Sequence, residues 1–300
     1  MAPSLLVLAA GMGSRYGGLK QLDPVGPSGE TMLDYAVFDA VRAGFGKVVF
    51  VIRRDFEPAF KERVAAKYAG RIGVDYVCQS LDALPSGHVP AAGRVKPWGT
   101  GHAVWCARDA INEPFAAIGA DDFFGRDAFS QLACFLSRPG EQRSRSSGGA
   151  APAAFAMVGY RLDRTLSEHG TVSRGICTVG ENGLLEAIAE RTAIDPSQLG
   201  RGDLRGDQIV SMNCFGFTPA LFGSLDGQLS AFLDARGAEP AAEFYLPAVV
   251  STMIARGEAT VRVLPSGGEW FGITHRDDRP RVVAALAALV AGGEYPDRLF

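Results

Sequence analysis

The sequence predicts an α/β fold built on a mainly parallel sheet, and three observations carry that expectation. Short apolar runs alternate with stretches of helical period. Residues 47–52 (KVVFVI) are a β-branched run with no polar face, as in a parallel strand buried on both sides. The run 115–119 ends abruptly in Ala120-Asp121-Asp122, a hydrophobic strand delivering acids to a sheet edge.

In chain order, residues 4–10 read as a buried strand entering a glycine-rich turn. Residues 31–43 have helical spacing and stop at Gly44 and Gly46. After the strand at 47–52 come a helix at 56–68, a strand at 74–78, a helix at 102–111 and the strand at 115–119. Residues 137–151 (SRPGEQRSRSSGGAA) are polar and rich in glycine and serine, and read as a mobile loop. Strands follow at 154–159, 172–179, 185–190 and 210–217, then a helix at 245–255, a strand at 260–264 and a helix at 280–291. No internal repeat is present.

Composition excludes several function classes. With 300 residues the chain buries enough surface for a full core without staples. A composition of 47% apolar and 21% charged residues is that of an ordinary soluble protein. The net charge of −3 argues against a nucleic-acid surface. Five dispersed cysteines, none at metal-ligand spacing, read as reduced thiols of a cytoplasmic protein, and the four scattered histidines offer no zinc site. No apolar run reaches the roughly 20 residues of a membrane span. A homo-oligomer is left open.

The first motif is the segment 8–20 (LAAGMGSRYGGLK). A strand delivers the chain to a turn of small residues, where backbone N–H groups can approach phosphate oxygens, and Arg15 and Lys20 add two permanent cations. Gly11-x-Gly13 also opens dinucleotide-binding turns. Here, however, Tyr16 stands at the third glycine position, and no acid follows a second strand at the required distance. The second motif, Gly99-Thr100-Gly101, is a tight turn opening a helix, with unpaired N–H groups at the helix start. The third is Asp121-Asp122. Adjacent residues of an extended chain point to opposite sides, so one carboxylate is expected to face the site.

These segments resemble the signature of the nucleotidyltransferase superfamily, in its sugar-phosphate nucleotidyltransferase (NDP-sugar pyrophosphorylase) branch. The resemblance runs from about residue 4 to residue 285 and is strongest in the opening loop. It implies a three-layer sandwich with a mainly parallel, mixed central sheet in one domain over residues 1–300. Residues 1–136 would be the nucleotide half and 152–300 the sugar-phosphate half. It further implies that Arg15 and Lys20 stabilise the leaving pyrophosphate, that Ala10, Gly11, Gly13 and Ser14 line the phosphates, and that Gln79, Gly99 and Thr100 contact base and ribose. Asp121 would be the Mg2+ ligand, with Asp122 supporting it.

In the second half, His169-Gly170-Thr171-Val172 and Ile188-Ala189-Glu190-Arg191 resemble the family's sugar-binding segments. Gly170 would lie against the sugar, Glu190 would accept its hydroxyls and Arg191, in place of a family lysine, would hold its phosphate. Asn213 would border the pocket. The chain departs from the pattern at Gly272, where many relatives carry a second metal-binding aspartate, which leaves Asp277, Asp278 or Glu243 as substitutes. The reaction implied is transfer of a nucleoside monophosphate from an NTP, UTP or dTTP by preference, to a sugar 1-phosphate. Transfer to a non-sugar phosphate, a nucleotide-sugar sensor without activity and a nicotinamide oxidoreductase are the alternatives.

Overall fold

The computed structural model describes residues 1–11, 23–138 and 151–300. Its main sheet contains nine strands among the described residues, in the order β10-β6-β9-β4-β1-β2-β3, with β7 paired to β9 and β8 to β7. Strands β1 (Ser4–Leu8), β2 (Lys47–Ile52), β3 (Gly73–Cys78) and β4 (Phe115–Gly119) are mutually parallel. Strand β9 (Ile209–Phe217) runs antiparallel to both β4 and β6 (Ala153–Arg161). Strand β10 (Ala259–Pro265) is parallel to β6, while β7 (Val172–Val179) and β8 (Leu185–Ile194) form an antiparallel arm. The expected mixed, mainly parallel sheet is observed.

Strand periodicity sorts the core into two faces. On β2, Val48, Phe50 and Ile52 pack with α1 (Met32–Ala43), α2 (Glu57–Tyr68) and α4 (Gly125–Leu136). Val49 and Val51 point the other way, toward α3 (Thr100–Cys106), α5 (Ala220–Arg236) and α6 (Leu246–Ala255). This makes the three layers. A smaller cluster joins Met32, Tyr35 and Phe123 to α7 (Arg279–Ala291) through Val282 and Leu286.

Local chemistry explains the element ends. Thr31 and Asp34 form a reciprocal capping box on α1, and Gly44 closes it at φ 91°. Asp34 also accepts from Tyr68 Oη at 2.8 Å and pairs with Lys67 Nζ at 2.6 Å, so it is committed to the first helical layer. Helix α3 begins at Thr100 and stops at Cys106, earlier at both ends than its apolar spacing predicts. Helix α5 escapes sequence reading because Gly223 and Gly227 interrupt its pattern. Its buried Leu221, Leu225, Leu229 and Leu233 recur every four residues, and both glycines face open space. Two further strands, β5 (Asp122–Phe123) and β11 (Phe271–Gly272), form an antiparallel ladder too short for any periodicity.

Two substitutions on α5 test this packing. Leu229→Ala should cost about 2–5 kcal/mol, because it empties a fully buried position. Gly227→Ala should be neutral or stabilise by about 0.5–1 kcal/mol, because it removes backbone freedom at an exposed helical site. Urea denaturation midpoints would check both, and a loss from Gly227→Ala would contradict the placement.

Candidate active site

The site begins where β1 and β4 end together. Their parallel register pairs Leu8 with Gly119, so Ala9-Ala10-Gly11 and Ala120-Asp121-Asp122 leave the sheet side by side. Ala10 is buried, while a Cβ at Gly11 would meet no atom of the described residues within 4 Å. Gly13, Ser14, Arg15 and Lys20 lie outside the described residues.

Both aspartates line a cleft of about 690 Å3, whereas the sequence reading expected only one to face it. The alternation rule fails because the chain is not extended there: Ala120 and Asp121 form a turn and β5 begins only at Asp122. A Cβ at Gly119 would lie 3.4 Å from Asp121 Oδ1 and 3.5 Å from Asp122 Oδ2, so the two carboxylates converge on one bare α-carbon. Opposite them, the β5–β11 ladder pairs Asp122 with Gly272. A Cβ at 272 would stand 2.9 Å from Asp122 Oδ1 and collide with the Trp270 ring. The carboxylate of Asp122 thus occupies the space that a side chain at position 272 would need.

None of the three substitutes considered for an acid at 272 lines the cleft. Glu243 pairs with Lys96 at 2.7 Å and accepts from Tyr245 Oη at 2.6 Å. Asp278 is buried and accepts from Ser167 Oγ at 2.6 Å and from the His275 N–H at 2.8 Å. Asp277 is exposed and does not line the cleft.

Strands β7, β8 and β9 supply the opposite wall. Glu190 and Thr192 face the cleft, and the strand period turns the intervening Arg191 away, where it pairs with exposed Asp203 at 3.1 Å. Burial pushes the Glu190 carboxyl above its ordinary pKa, opposed by the nearby Arg174 cation. Asn213 lines the cleft at φ 56°, in a stretch where the β6–β9 register slips, so a strained residue sits at the site. Gly170 takes φ 148° because a Cβ there would meet the His275 ring at 2.9 Å. Its bareness therefore serves a protein contact, and it is not among the lining residues.

Arg174 is the functional candidate that sequence reasoning missed. It is 7% exposed, lines the cleft, and has Asp122, Glu190 and Asp278 as its charged neighbours. Its guanidinium donates to the carbonyls of Thr165 and Ser173 and lies 5.1 Å from the centre of the Trp270 ring. Three of its five N–H groups are thereby used. Trp270, also in the wall, leaves its buried indole N–H without a partner among the described residues. Nothing in the spacing around Arg174 marks it, because it reaches Asp122 only through the folded sheet.

The third wall joins the two halves. Gly99 at φ 101° and Gly101 both need bare α-carbons, because a Cβ at either would lie 2.7 Å from an atom of Phe244. Phe244 bridges them through backbone bonds, donating to the Trp98 carbonyl at 2.6 Å and accepting from the Gly101 N–H at 2.9 Å. The Thr100 hydroxyl accepts the first N–H of α6, from Leu246, at 3.0 Å. Gln79 lies beside this turn, its Nε2 donating to the Gly99 carbonyl at 3.1 Å. It lines a separate recess of about 270 Å3 with Arg53, Arg54 and Trp98. A further shallow recess of about 750 Å3, beside α4 and α7, contains none of the expected residues. Its Asp127 already accepts from the Gly267 N–H and from Gln131.

Among the described residues no group of three or more His, Cys, Asp or Glu side chains gathers as a metal nest, and no helix is long and apolar enough to cross a membrane.

The buried His102 gives this wall a pH signature. Burial lowers its pKa from 6.5 to about 4, so between those values the folded chain binds fewer protons than the unfolded one. Its contribution to stability is complete above about pH 6.5 and lost as pH falls through about 4. Unfolding free energies across pH 4–8 should show this slope in the native chain, and His102→Phe should flatten it.

Residues 5–119 match the family model of the MobA-like NTP transferase domain. No curated protein sequence matches the chain significantly. Three solved structures share its fold. A protein from Bacillus anthracis described as a glucose-1-phosphate thymidylyltransferase, solved with sucrose, is 14% identical with a TM-score of 0.63, over 95% of this chain and 96% of that one. A UDP-glucose pyrophosphorylase complexed with UDP-glucose is 17% identical with a TM-score of 0.58, over 95% and 98%. The inositol-1-phosphate CTP transferase from T. maritima is 15% identical with a TM-score of 0.64, over 97% of each chain. Residues 5–119 thus match a MobA-like NTP transferase domain, and the chain shares its fold with these three structures over nearly its whole length.

Proposed function

We propose that the chain transfers a nucleoside monophosphate from an NTP to a sugar 1-phosphate, giving an NDP-sugar and pyrophosphate. One observation carries this reading: a single cleft joins the carboxylate edge of the nucleotide half to the polar wall of β7–β9. The names of the similar structures support an NTP and a phosphate-bearing acceptor, and two of the three concern glucose derivatives. UTP and dTTP are the preferred donors in this reading.

The roles follow from position. Gly11 and the loop after it, with Arg15 and Lys20, bind the triphosphate and receive the leaving pyrophosphate, with Ala10, Gly13 and Ser14 along the phosphates. Thr100 and Gly99 flank the ribose side. Glu190 accepts sugar hydroxyls, and Asn213 orients the ring. Arg174, rather than Arg191, is the cation for the acceptor phosphate, because among the described residues its guanidinium is the one that lines the cleft. Its two N–H groups with no partner among the described residues suit an oxyanion.

The donor set fits Mg2+. Two hard carboxylates, Asp121 and Asp122, converge beside Gly119, and magnesium needs only one or two such ligands, taking the rest from phosphate and water. The Asp122 carboxylate fills the space a side chain at Gly272 would need, so in this reading it serves as the second acid that the resemblance expects at that position. Bound there, Mg2+ supplies charge neutralisation for the phosphates. The acceptor is a phosphate monoester, already anionic near neutral pH, so no side chain need act as a general base. The residues accelerate transfer by alignment and electrostatics.

The test is pyrophosphate release from a matrix of nucleoside triphosphates against sugar 1-phosphates and inositol 1-phosphate, with and without Mg2+. Turnover on a sugar 1-phosphate is expected. Asp121→Asn should lower kcat at least ~100-fold. Arg174→Met should raise the acceptor KM about ten-fold or more, while Arg191→Ala stays near wild type. Turnover only on inositol 1-phosphate would replace the sugar acceptor by a cyclitol. Silence across the matrix with a nucleotide still bound would favour the sensor.

A further inference from the structure

The segment that follows α7 is fastened to α1 by a buried polar latch. Tyr295 Oη donates to Asp39 Oδ2 at 2.8 Å, and Arg42 Nη2 forms an ion pair with Asp39 Oδ1 at 2.7 Å. Asp39 is 1% and Tyr295 2% exposed. Arg42 also reaches the segment itself, donating to the Glu294 carbonyl at 3.0 Å and pairing with its carboxylate at 3.2 Å. Its guanidinium lies 4.7 Å from the centre of the Tyr295 ring. The charged groups that act on Asp39 are thus Arg42 from its own helix and Glu294 from the segment. Arg126 and Asp127 of α4, with Glu269, line the same recess as Tyr295 and Glu294.

This latch holds the segment against two pieces of the candidate site. The first is β5, where strand alternation turns Asp122 into the cleft and its neighbour Phe123 away from it. Phe123 packs on Phe271, its ladder partner, and on Tyr295, with ring centres 5.2 and 5.9 Å apart. The second is the stretch from Pro24 to Glu30, which follows Arg15 and Lys20 in the sequence. The Asp297 carbonyl accepts from Ser28 Oγ at 2.7 Å, and Arg279 of α7 donates to the Pro24 carbonyl at 2.7 Å. Val25 shares one core cluster with Phe123, Tyr295 and Leu299, to which the β7–β9 wall contributes no residue.

We propose that Asp39 and Tyr295 are positioning residues for the donor side of the cleft: they hold the C-terminal segment down on β5 and on residues 24–30, and so fix where the Asp122 carboxylate stands. The assignment rests on the nucleotide-binding reading above and adds a pH control to it, because the latch is built on a titratable group. Burial pushes the Asp39 carboxyl up to about 7, against the opposing pull of Arg42 and the Tyr295 hydroxyl. Released into water, the same carboxyl returns to the ordinary range, so ionisation favours the undocked segment and protonation the docked one. The latch therefore tightens below about pH 7 and loosens above it.

The experiment measures equilibrium binding of the four common NTPs, with Mg2+, to the full chain at pH 6.5 and 8.5, and follows the tightest binder in Asp39→Asn and Tyr295→Phe. In the native chain affinity should fall about three-fold or more between the two pH values. Asp39→Asn is neutral at both and should lose that step. Tyr295→Phe leaves the buried carboxylate one donor fewer and should deepen it. The acceptor KM should stay within about two-fold of native in both variants, and an equal rise in donor and acceptor KM overturns the proposal. Hydrogen exchange of residues 24–30, 122–123 and 294–300, corrected for the intrinsic pH dependence, reads the latch without any ligand. Protection should drop from pH 6.5 to 8.5 in the native chain and hold steady in Asp39→Asn. The same step in Asp39→Asn as in the native chain, by binding or by exchange, overturns the proposal, as does a Tyr295→Phe chain that matches native at both values. Failure of all four NTPs to bind, with exchange as expected, would remove the nucleotide reading and leave the latch standing.

Discussion

The parallel pairing of β1 with β4 at the centre of the sheet is the constraint on which the rest depends. Neighbouring parallel strands end at the same edge, and the Leu8–Gly119 register brings the glycine after one strand beside the acids after the other. The strands hold this register because both are buried on both faces, where a slip of one residue would exchange the two cores. The chain thus brings Gly11 and a carboxylate pair to one sheet edge, from segments more than a hundred residues apart.

The second half is locked to this edge by two small devices. The first is Phe244, whose backbone is threaded between Gly99 and Gly101 while Thr100 caps α6. The second is the two-residue ladder of β5 and β11, which seats Gly272 against Asp122. Together they close a cleft whose floor is acidic and whose far wall carries Glu190, Asn213 and Arg174. Arg174 offsets part of that acidity, since a buried carboxylate without a cationic neighbour would tend to bind a proton.

Much of the fold was legible because its signals are local. The run at 47–52, the capped helix after Thr31 and the acids closing 115–119 each announce themselves within a dozen residues. The site was legible only where a motif coincides with a strand end. Asp121 is of that kind, and Gly99 was legible as the turn that opens a helix. The single-facing rule failed at Asp122 because a turn replaced the extended chain that the rule assumes. The same rule, applied to Glu190 and Arg191, would have turned Arg191 out of the cleft, since β8 is regular there. Arg174 carries no signature because it meets Asp122 and Glu190 only through long-range register. Gly170 and Gly101 illustrate a different limit: a required glycine shows that something approaches closely, and here that something is His275 or Phe244 rather than a ligand.

The most direct test of the central claim is a crystal structure with a non-hydrolysable UTP analogue and Mn2+, located by anomalous scattering. The account predicts the manganese against Asp121 and Asp122, the triphosphate over Gly11, and the base edge at Gln79. Manganese and nucleotide in the recess beside α4 and α7, or a metal held away from both aspartates, would contradict it.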